Sequence, residues 1–134
     1  MGDFLPTFSH VQQAATVLTG VVSHTPVLGS SYLDEQCGGR VLAKYENLQR
    51  TGAFKFRGAY YAVSRKEAVA PFKAVVTVSS GNHAQGIALA SRLLGYPAYI
   101  VMPEPVNHFK RARVEEFGAN GRIVGTRAEG GECA

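Results

Sequence analysis

One lysine of this sequence has neighbours suited to covalent chemistry with an aldehyde. Lys55 lies between Phe54 and Phe56 and two residues before the cation Arg57, in a segment bounded by glycines. Packing against both rings and the nearby positive charge would disfavour the ammonium form, and a neutral lysine amine forms a Schiff base with an aldehyde. Taken alone, Lys55 is more often a helix-start lysine whose head reaches water.

A polar turn from Ser79 to His83 provides a second candidate site. It follows an apolar, β-branched run at residues 74–78 and precedes a helical pattern. Backbone N–H groups at such a strand-to-helix junction point into a crevice, and the helix dipole favours an anion there. Ser79, Ser80 and Asn82 add side-chain donors, so the turn suits a small carboxylate. An ordinary capped turn that binds nothing is equally compatible with this segment alone. Pairing the turn with Lys55 in one α/β pattern favours an enzyme built around an aldehyde cofactor.

Other site classes find no support in the sequence. Gly81 and Gly86 do not form the GxGxxG of a dinucleotide site, and no GK[ST] follows as in a phosphate loop. Ser80 and His83 lack the GxSxG surroundings of a hydrolase nucleophile. No cluster of His, Cys, Asp or Glu has metal-ligand spacing, so no metal site is predicted. The remaining histidines, interpreted as surface or capping residues, are His10, His24 and His108.

Strands and helices alternate along the chain, which predicts an α/β fold with a parallel sheet and flanking helices. The run at 74–78 is typical of a strand buried on both faces. Ser9 with Gln12 predicts a capping box for the first helix. Helices are predicted over 9–18, 31–36, 55–65, 84–94 and 107–117, and strands over 41–45, 74–78, 98–102 and 122–125. In the helix that begins at Lys55, the residues predicted to lie on or near the buried side are Ala59, Tyr60, Ala62 and Val63.

Composition limits the classes of function and partner. The 134 residues are 46% hydrophobic and 18% charged, as in a globular chain of about one domain. The apolar runs are too short to cross a membrane, and the N-terminus does not match a secretory signal. Net charge is +4, but the one basic cluster, Lys110 to Arg113, shares its predicted helix with acidic residues, which argues against nucleic acid. Cys37 and Cys133 fit reduced thiols in the cytoplasm.

Two segments, at 44–58 and 79–86, resemble the threonine dehydratase and serine racemase family of fold-type-II pyridoxal-phosphate enzymes. The first reads KYENLQRTGAFKFRG and is similar to the family's cofactor-lysine motif. The second reads SSGNHAQG and is similar to its cofactor- and substrate-contacting loop. Ala53 departs from the motif, because many members have serine there. The resemblance implies the N-terminal part of a fold similar to the tryptophan synthase β-subunit, and pyridoxal 5'-phosphate as cofactor.

The resemblance also implies a role for each matching residue. Lys55 would form the Schiff base with the cofactor and later move the substrate α-proton, while Phe54 packs beside the cofactor. Asn82 would bond the pyridine hydroxyl, and the turn at Ser79, Ser80, Gly81, Asn82 and His83 would bind the carboxylate of a small amino-acid substrate. Ser80 matches the second acid/base of racemising members. A nucleotide-effector site near Ser30, Ser31, Arg50 and Thr51 is a further implication.

The expected activity is elimination of water from L-threonine or L-serine to give a 2-oxo acid and ammonia. Serine racemase and a catalytically inactive truncated fragment are the alternatives. Residues 1–67 are expected to belong to the large cofactor domain and residues 68–134 to the small α/β domain, both incomplete. The phosphate-binding glycine loop would lie in a portion of the family's length that this chain lacks. Full-length members are expected to be homodimers.

Overall fold

The structure is a computed structural model that describes residues 5–125. It confirms the predicted α/β class, with a parallel sheet and flanking helices. The expectations about the N-terminal residues 1–4, the tail at 126–134 and Cys133 lie outside the described residues. The helices are α1 (Phe8–Leu18), α2 (Ser31–Cys37), a 3-10 turn (Glu46–Leu48), α3 (Lys55–Val69), α4 (Asn82–Leu94) and α5 (His108–Glu116). The strands are β1 (Val27–Gly29), β2 (Leu42–Lys44), β3 (Val75–Val78), β4 (Ala98–Pro103) and β5 (Asn120–Val124).

The parallel sheet has the order β3-β4-β5, with α4 and α5 as its crossover helices. Ile100 and Met102 of β4 are fully buried in the core shared with α4 and α5. On the opposite face, Val76 and Tyr99 pair across β3 and β4 and remain 46% and 48% exposed. The prediction that β3 is buried on both faces is therefore wrong for the described residues, because both crossovers cover the same face.

The first sheet is a short antiparallel pair, in which β1 lies beside β2 with Leu28 opposite Ala43. The sequence predicted β2 but not β1, which is only three residues long and is separated from α2 by a single residue. Ser30 caps α2 through its Oγ, which accepts from the Leu33 N–H, and Gly38 ends that helix in the left-handed conformation. The predicted second helix is thus confirmed.

The first helix is capped earlier in the chain than predicted. Thr7, and not Ser9, is the N-cap, and its backbone N–H donates to Nδ1 of His10 at 2.9 Å. The histidine occupies the position that glutamate or glutamine fills in the common capping box. The interpretation of His10 as a capping residue is confirmed. His24 and His108 are exposed, as expected.

Helices α3 and α4 pack against each other and form the centre of the core. From α3 this core takes Phe56, Ala59 and Val63, which recur at the spacing of one helix face. Phe56 is 0% exposed, although the sequence interpretation assigned it to the lysine site. Ala62, predicted to lie on or near the buried side, is exposed because it lies off this stripe.

No helix among residues 5–125 is long and apolar enough to cross a membrane.

Candidate active site

Lys55 is the first residue of α3 and follows a tight loop in which Gly52 has a φ of +71°. Its Nζ lies 4.9 Å from the centroid of the Phe54 ring, which is itself 59% exposed. A cation above a ring face is attracted to it, so this contact holds the lysine head beside the ring. The expected packing between two rings is wrong, because Lys55 is exposed while Phe56 is in the core.

The neighbouring cation also differs from expectation, because Arg57 is paired. Its Nε donates to Oε2 of Glu46 and its Nη2 to Oε1, both at 2.8 Å. This two-point bond raises the pKa of Arg57 and, as the largest cause, lowers the pKa of Glu46 to about 2. No role for Glu46 was predicted from the sequence. Glu46 and Arg57 carry opposite charges at the two ends of one loop, and this was the signal that could have predicted their pairing.

The predicted anion turn forms where β3 ends and α4 begins. Its first residue extends the sheet, since the Ser79 N–H donates to the Val101 carbonyl at 2.9 Å. Gly81 is the N-cap of α4 and provides no side-chain cap, whereas Asn107 caps α5 through its own side chain. The first N–H groups of α4 are therefore available to a ligand, as at anion-binding helix starts. Ser79, Ser80 and Gly81 line a cavity of about 320 Å³ with Glu104.

Gly86 lets the lysine and the anion turn approach each other. A Cβ built on it would lie 3.3 Å from the Lys55 carbonyl carbon and oxygen and 3.3 Å from Cβ of Ala59. Only hydrogen at this position lets α4 pack so tightly against the first turn of α3. Asn82 and His83 lie four and three residues before Gly86, so they share the face of α4 that packs against the first turn of α3.

The charge of Lys55 acts on the imidazole of His83. The pKa of His83 is lowered from its ordinary 6.5. The main cause is partial desolvation of the imidazole, and the second is the positive charge of Lys55. A neutral imidazole is thereby favoured beside the lysine, and it can accept or donate a hydrogen bond.

Replacing Lys55 with methionine is expected to raise the pKa of His83 toward 6.5, because the positive charge is lost while the partial desolvation remains. Titration of the imidazole Cε1–H resonances by NMR measures this directly. His10, His24 and His108 serve as internal references. An unchanged His83 titration would contradict the inferred proximity.

The four residues of the predicted nucleotide site have varied environments. Ser31 and Arg50 are exposed. Ser30 caps α2, and the buried Thr51 donates its hydroxyl to the Ala53 carbonyl at 3.5 Å. That site stays a prediction. Within residues 5–125, no group of three or more His, Cys, Asp or Glu side chains is arranged to hold a metal ion.

Comparison with known proteins decides the family. Residues 18–133 match the family described as pyridoxal-phosphate dependent enzyme. The chain belongs to this family. The resemblance and the cofactor predicted from the two motifs are confirmed, and the family's cofactor is pyridoxal 5'-phosphate.

Relatives in the family act on small amino acids. L-threo-3-hydroxyaspartate ammonia-lyase of Pseudomonas sp is 51% identical over 115 residues, covering 86% of this chain and 36% of that enzyme. Serine racemase of Schizosaccharomyces pombe is 42% identical, covering 90% of this chain and 36% of that enzyme. The solved structure of T.th. threonine deaminase has a TM-score of 0.78 at 39% identity, covering 95% of this chain and 40% of that one. The chain thus spans little more than a third of these relatives' length.

The described residues fit the aldehyde end of pyridoxal phosphate. Lys55 offers an exposed amine, the Phe54 ring is half-exposed beside it, and Asn82 begins a helix whose N-cap has no side chain. An exposed amine and an open helix start are the groups that an aldehyde and a carboxylate require.

Proposed function

We propose that this chain carries the lysine-bearing part of a pyridoxal-phosphate-dependent ammonia-lyase that acts on a small β-hydroxy-α-amino acid. The proposal rests on one observation. Gly86 lets α4 pack closely against the backbone of Lys55, and the start of this helix has no side-chain cap. The names of the relatives, two ammonia-lyases or deaminases and a racemase, support the same reaction class.

Each residue of the site has a distinct task in this proposal. Nζ of Lys55 holds the cofactor's aldehyde carbon and, once released as a free amine, takes the proton from the substrate Cα. The N–H groups at the start of α4 bind the substrate carboxylate, with Ser79 as an additional donor. Asn82 orients the pyridine ring through its amide, and Phe54 shields one side of it. When bound, pyridoxal phosphate supplies the electron sink for the carbanion at Cα.

Serine racemisation is the second candidate, and Ser80 motivates it. Ser80 is half-buried just before the start of α4. In this second proposal its hydroxyl delivers a proton to the substrate face opposite Lys55. Return of the proton to that face inverts Cα, whereas loss of the β-hydroxyl as water, followed by hydrolysis of the released enamine, gives ammonia and a 2-oxo acid.

The domain assignment is part of the same proposal. Residues 1–67 would belong to the large cofactor domain and residues 68–134 to the small one. The proposed boundary falls in the last turn of α3, so this helix would connect the two. A homodimer of the full-length protein and a nucleotide effector remain further proposals.

Product analysis tests the proposed reaction. The chain is incubated with pyridoxal phosphate and L-serine, L-threonine or L-threo-3-hydroxyaspartate, and ammonia, 2-oxo acid and D-serine are quantified. We expect equal amounts of ammonia and 2-oxo acid from at least one substrate, and no product from Lys55→Ala. Loss of the catalytic lysine removes both covalent attachment and proton transfer, so the fall should exceed roughly a thousandfold.

The outcomes separate the candidate functions. D-serine that depends on Ser80, tested with Ser80→Ala, would favour racemisation over elimination. Equal product formation by the unsubstituted chain and Lys55→Ala would contradict both. A Lys55 adduct without product would favour the inactive-fragment alternative.

A further inference from the structure

A half-buried polar network lies beneath the loop that leads to Lys55. Its centre is the two-point pair of Arg57 with Glu46, whose side chains are 29% and 17% exposed. The Thr25 hydroxyl donates to the same Oε1 of Glu46 at 2.5 Å. Lys44 donates from Nζ to the Thr25 carbonyl at 2.6 Å. The carboxylate therefore accepts three hydrogen bonds, two of them from a planar guanidinium whose fork matches it.

A second clamp ties the same loop to the segment before β1. The Gln49 side chain is buried and bonds Ser23 twice, accepting from its N–H at 2.8 Å and donating to its carbonyl at 3.0 Å. Arg57 adds a longer bond from Nη2 to the same carbonyl at 3.4 Å. The loop between β2 and α3 is thus held at Glu46 and at Gln49, three residues apart.

Helix geometry relates this network to the lysine. Successive residues turn about 100° around a helix axis, so the side chains of Lys55 and Arg57 leave α3 roughly 200° apart. The network holds the first turn of α3 from the side opposite Lys55, and Gly86 of α4 contacts the Lys55 backbone directly. Among residues 5–125, the Phe54 ring is the one contact that restrains the head of Lys55, so the position of Nζ depends on how firmly that turn is held.

We infer that the Glu46–Arg57 pair is a positioning device that fixes the first turn of α3 and thereby aims Lys55 at the start of α4. The inference rests on the proposed role of Lys55. In this inference both charged residues act through the backbone of the helix start. The ion pair is therefore expected to make the loop rigid, although the loop contains Gly52 and the exposed side chains of Asn47, Leu48 and Arg50.

Hydrogen–deuterium exchange tests the positioning directly. In Glu46→Gln, amides of residues 50–57 should exchange at least about fivefold faster than in the unsubstituted chain, the change that a loss of about 1 kcal/mol in local stability produces. The matched control is Glu115→Gln, which breaks the exposed pair of Glu115 with Arg111 on α5. It should leave residues 50–57 unchanged.

Two further variants separate positioning from a general loss of folding. Arg57→Lys keeps the charge but cannot make the two-point bond, so it should restore only part of the protection. Glu46→Gln with Arg57→Met removes both charges. No unpaired charge is then left behind. The denaturation midpoint of the double variant should therefore exceed that of the less stable of the two single variants, Glu46→Gln and Arg57→Met. The enhanced exchange at residues 50–57 should persist in this folded double variant.

A chemical readout connects the network to Lys55. Borohydride fixation with pyridoxal phosphate, followed by peptide mapping, gives the adduct yield at each lysine. In Glu46→Gln the yield at Lys55 should fall about threefold or more, consistent with the same local loosening, while lysines outside the network stay unchanged. Lys44 belongs to the network, so the lysines for comparison are Lys66, Lys73 and Lys110.

Failure of this inference and failure of the proposed function give different results. If Lys55 is labelled selectively but Glu46→Gln matches the Glu115→Gln control in exchange and in yield, the positioning inference is overturned and the proposed function stands. If Lys55 is not labelled selectively in the unsubstituted chain, both are overturned, whatever the exchange data show. Arg57→Lys that matches the unsubstituted chain in both readouts would also overturn the inference, because the two-point bond would then be dispensable.

Discussion

Gly86→Val is expected to lower the free energy of unfolding by about 2 kcal/mol, the middle of the range for overpacking a close-packed site. The Cβ alone would lie 3.3 Å from the Lys55 backbone and from Ala59, tighter than ordinary contact, and two further methyl groups would add to the crowding. Valine has the better helix propensity, but that gain of a few tenths of a kcal/mol does not offset the overlap. Chemical denaturation measures the difference.

Gly58→Val is the matched control. Gly58 also lies in the interior of a helix, α3, but a Cβ there would meet no atom within 4 Å. Its free energy of unfolding should change by no more than about 0.5 kcal/mol. If the two variants have equal free energies of unfolding, the close approach of α3 and α4 at Gly86 does not contribute to stability.

Gly86→Val should also separate Lys55 from His83. Forcing α4 away from the first turn of α3 weakens the lysine's effect on the imidazole, so the pKa of His83 should move toward its ordinary value. A folded Gly86→Val protein with an unaltered His83 titration would contradict the role of Gly86 in assembling the site.

The sequence predicted the elements that carry the site better than their surroundings. The helix starting at Lys55 and the turn from Ser79 to His83 were found because glycines, polar residues and apolar runs mark them locally. Strand β1 was missed because three residues give too little alternation to detect. The exposure of the sheet face that carries Val76 and Tyr99 was not predicted. A run of β-branched residues is found both in strands covered on one face and in strands covered on two, so the sequence does not distinguish them.

The environment of Lys55 could not be predicted for a different reason. Phe54 and Phe56 are adjacent to it in the chain, yet one is 59% exposed and the other is fully buried. Side chains on either side of a helix-start residue point in different directions, which composition does not reveal. Likewise, Glu46 and Arg57 come together only in the folded chain. The sequence interpretation therefore treated Arg57 as an unpaired cation, whereas the structure shows it in an ion pair.

The central claim is that Lys55 is the lysine that holds pyridoxal phosphate. Covalent attachment requires the amine itself, so replacing Lys55 should abolish the adduct rather than weaken it. The fold supports selectivity for this lysine, since only Lys55 begins α3 beside the open start of α4. Lys66 lies on the same helix and is exposed, so Lys66→Ala is the matched control.

The most direct measurement is the absorbance spectrum of the purified chain with pyridoxal phosphate, before and after borohydride, followed by peptide mapping. The account predicts a band near the edge of the visible range that borohydride fixes on the peptide containing Lys55. That band should persist in Lys66→Ala and vanish in Lys55→Ala. A band of equal intensity in Lys55→Ala, or a label spread evenly over all lysines, would contradict the assignment of Lys55.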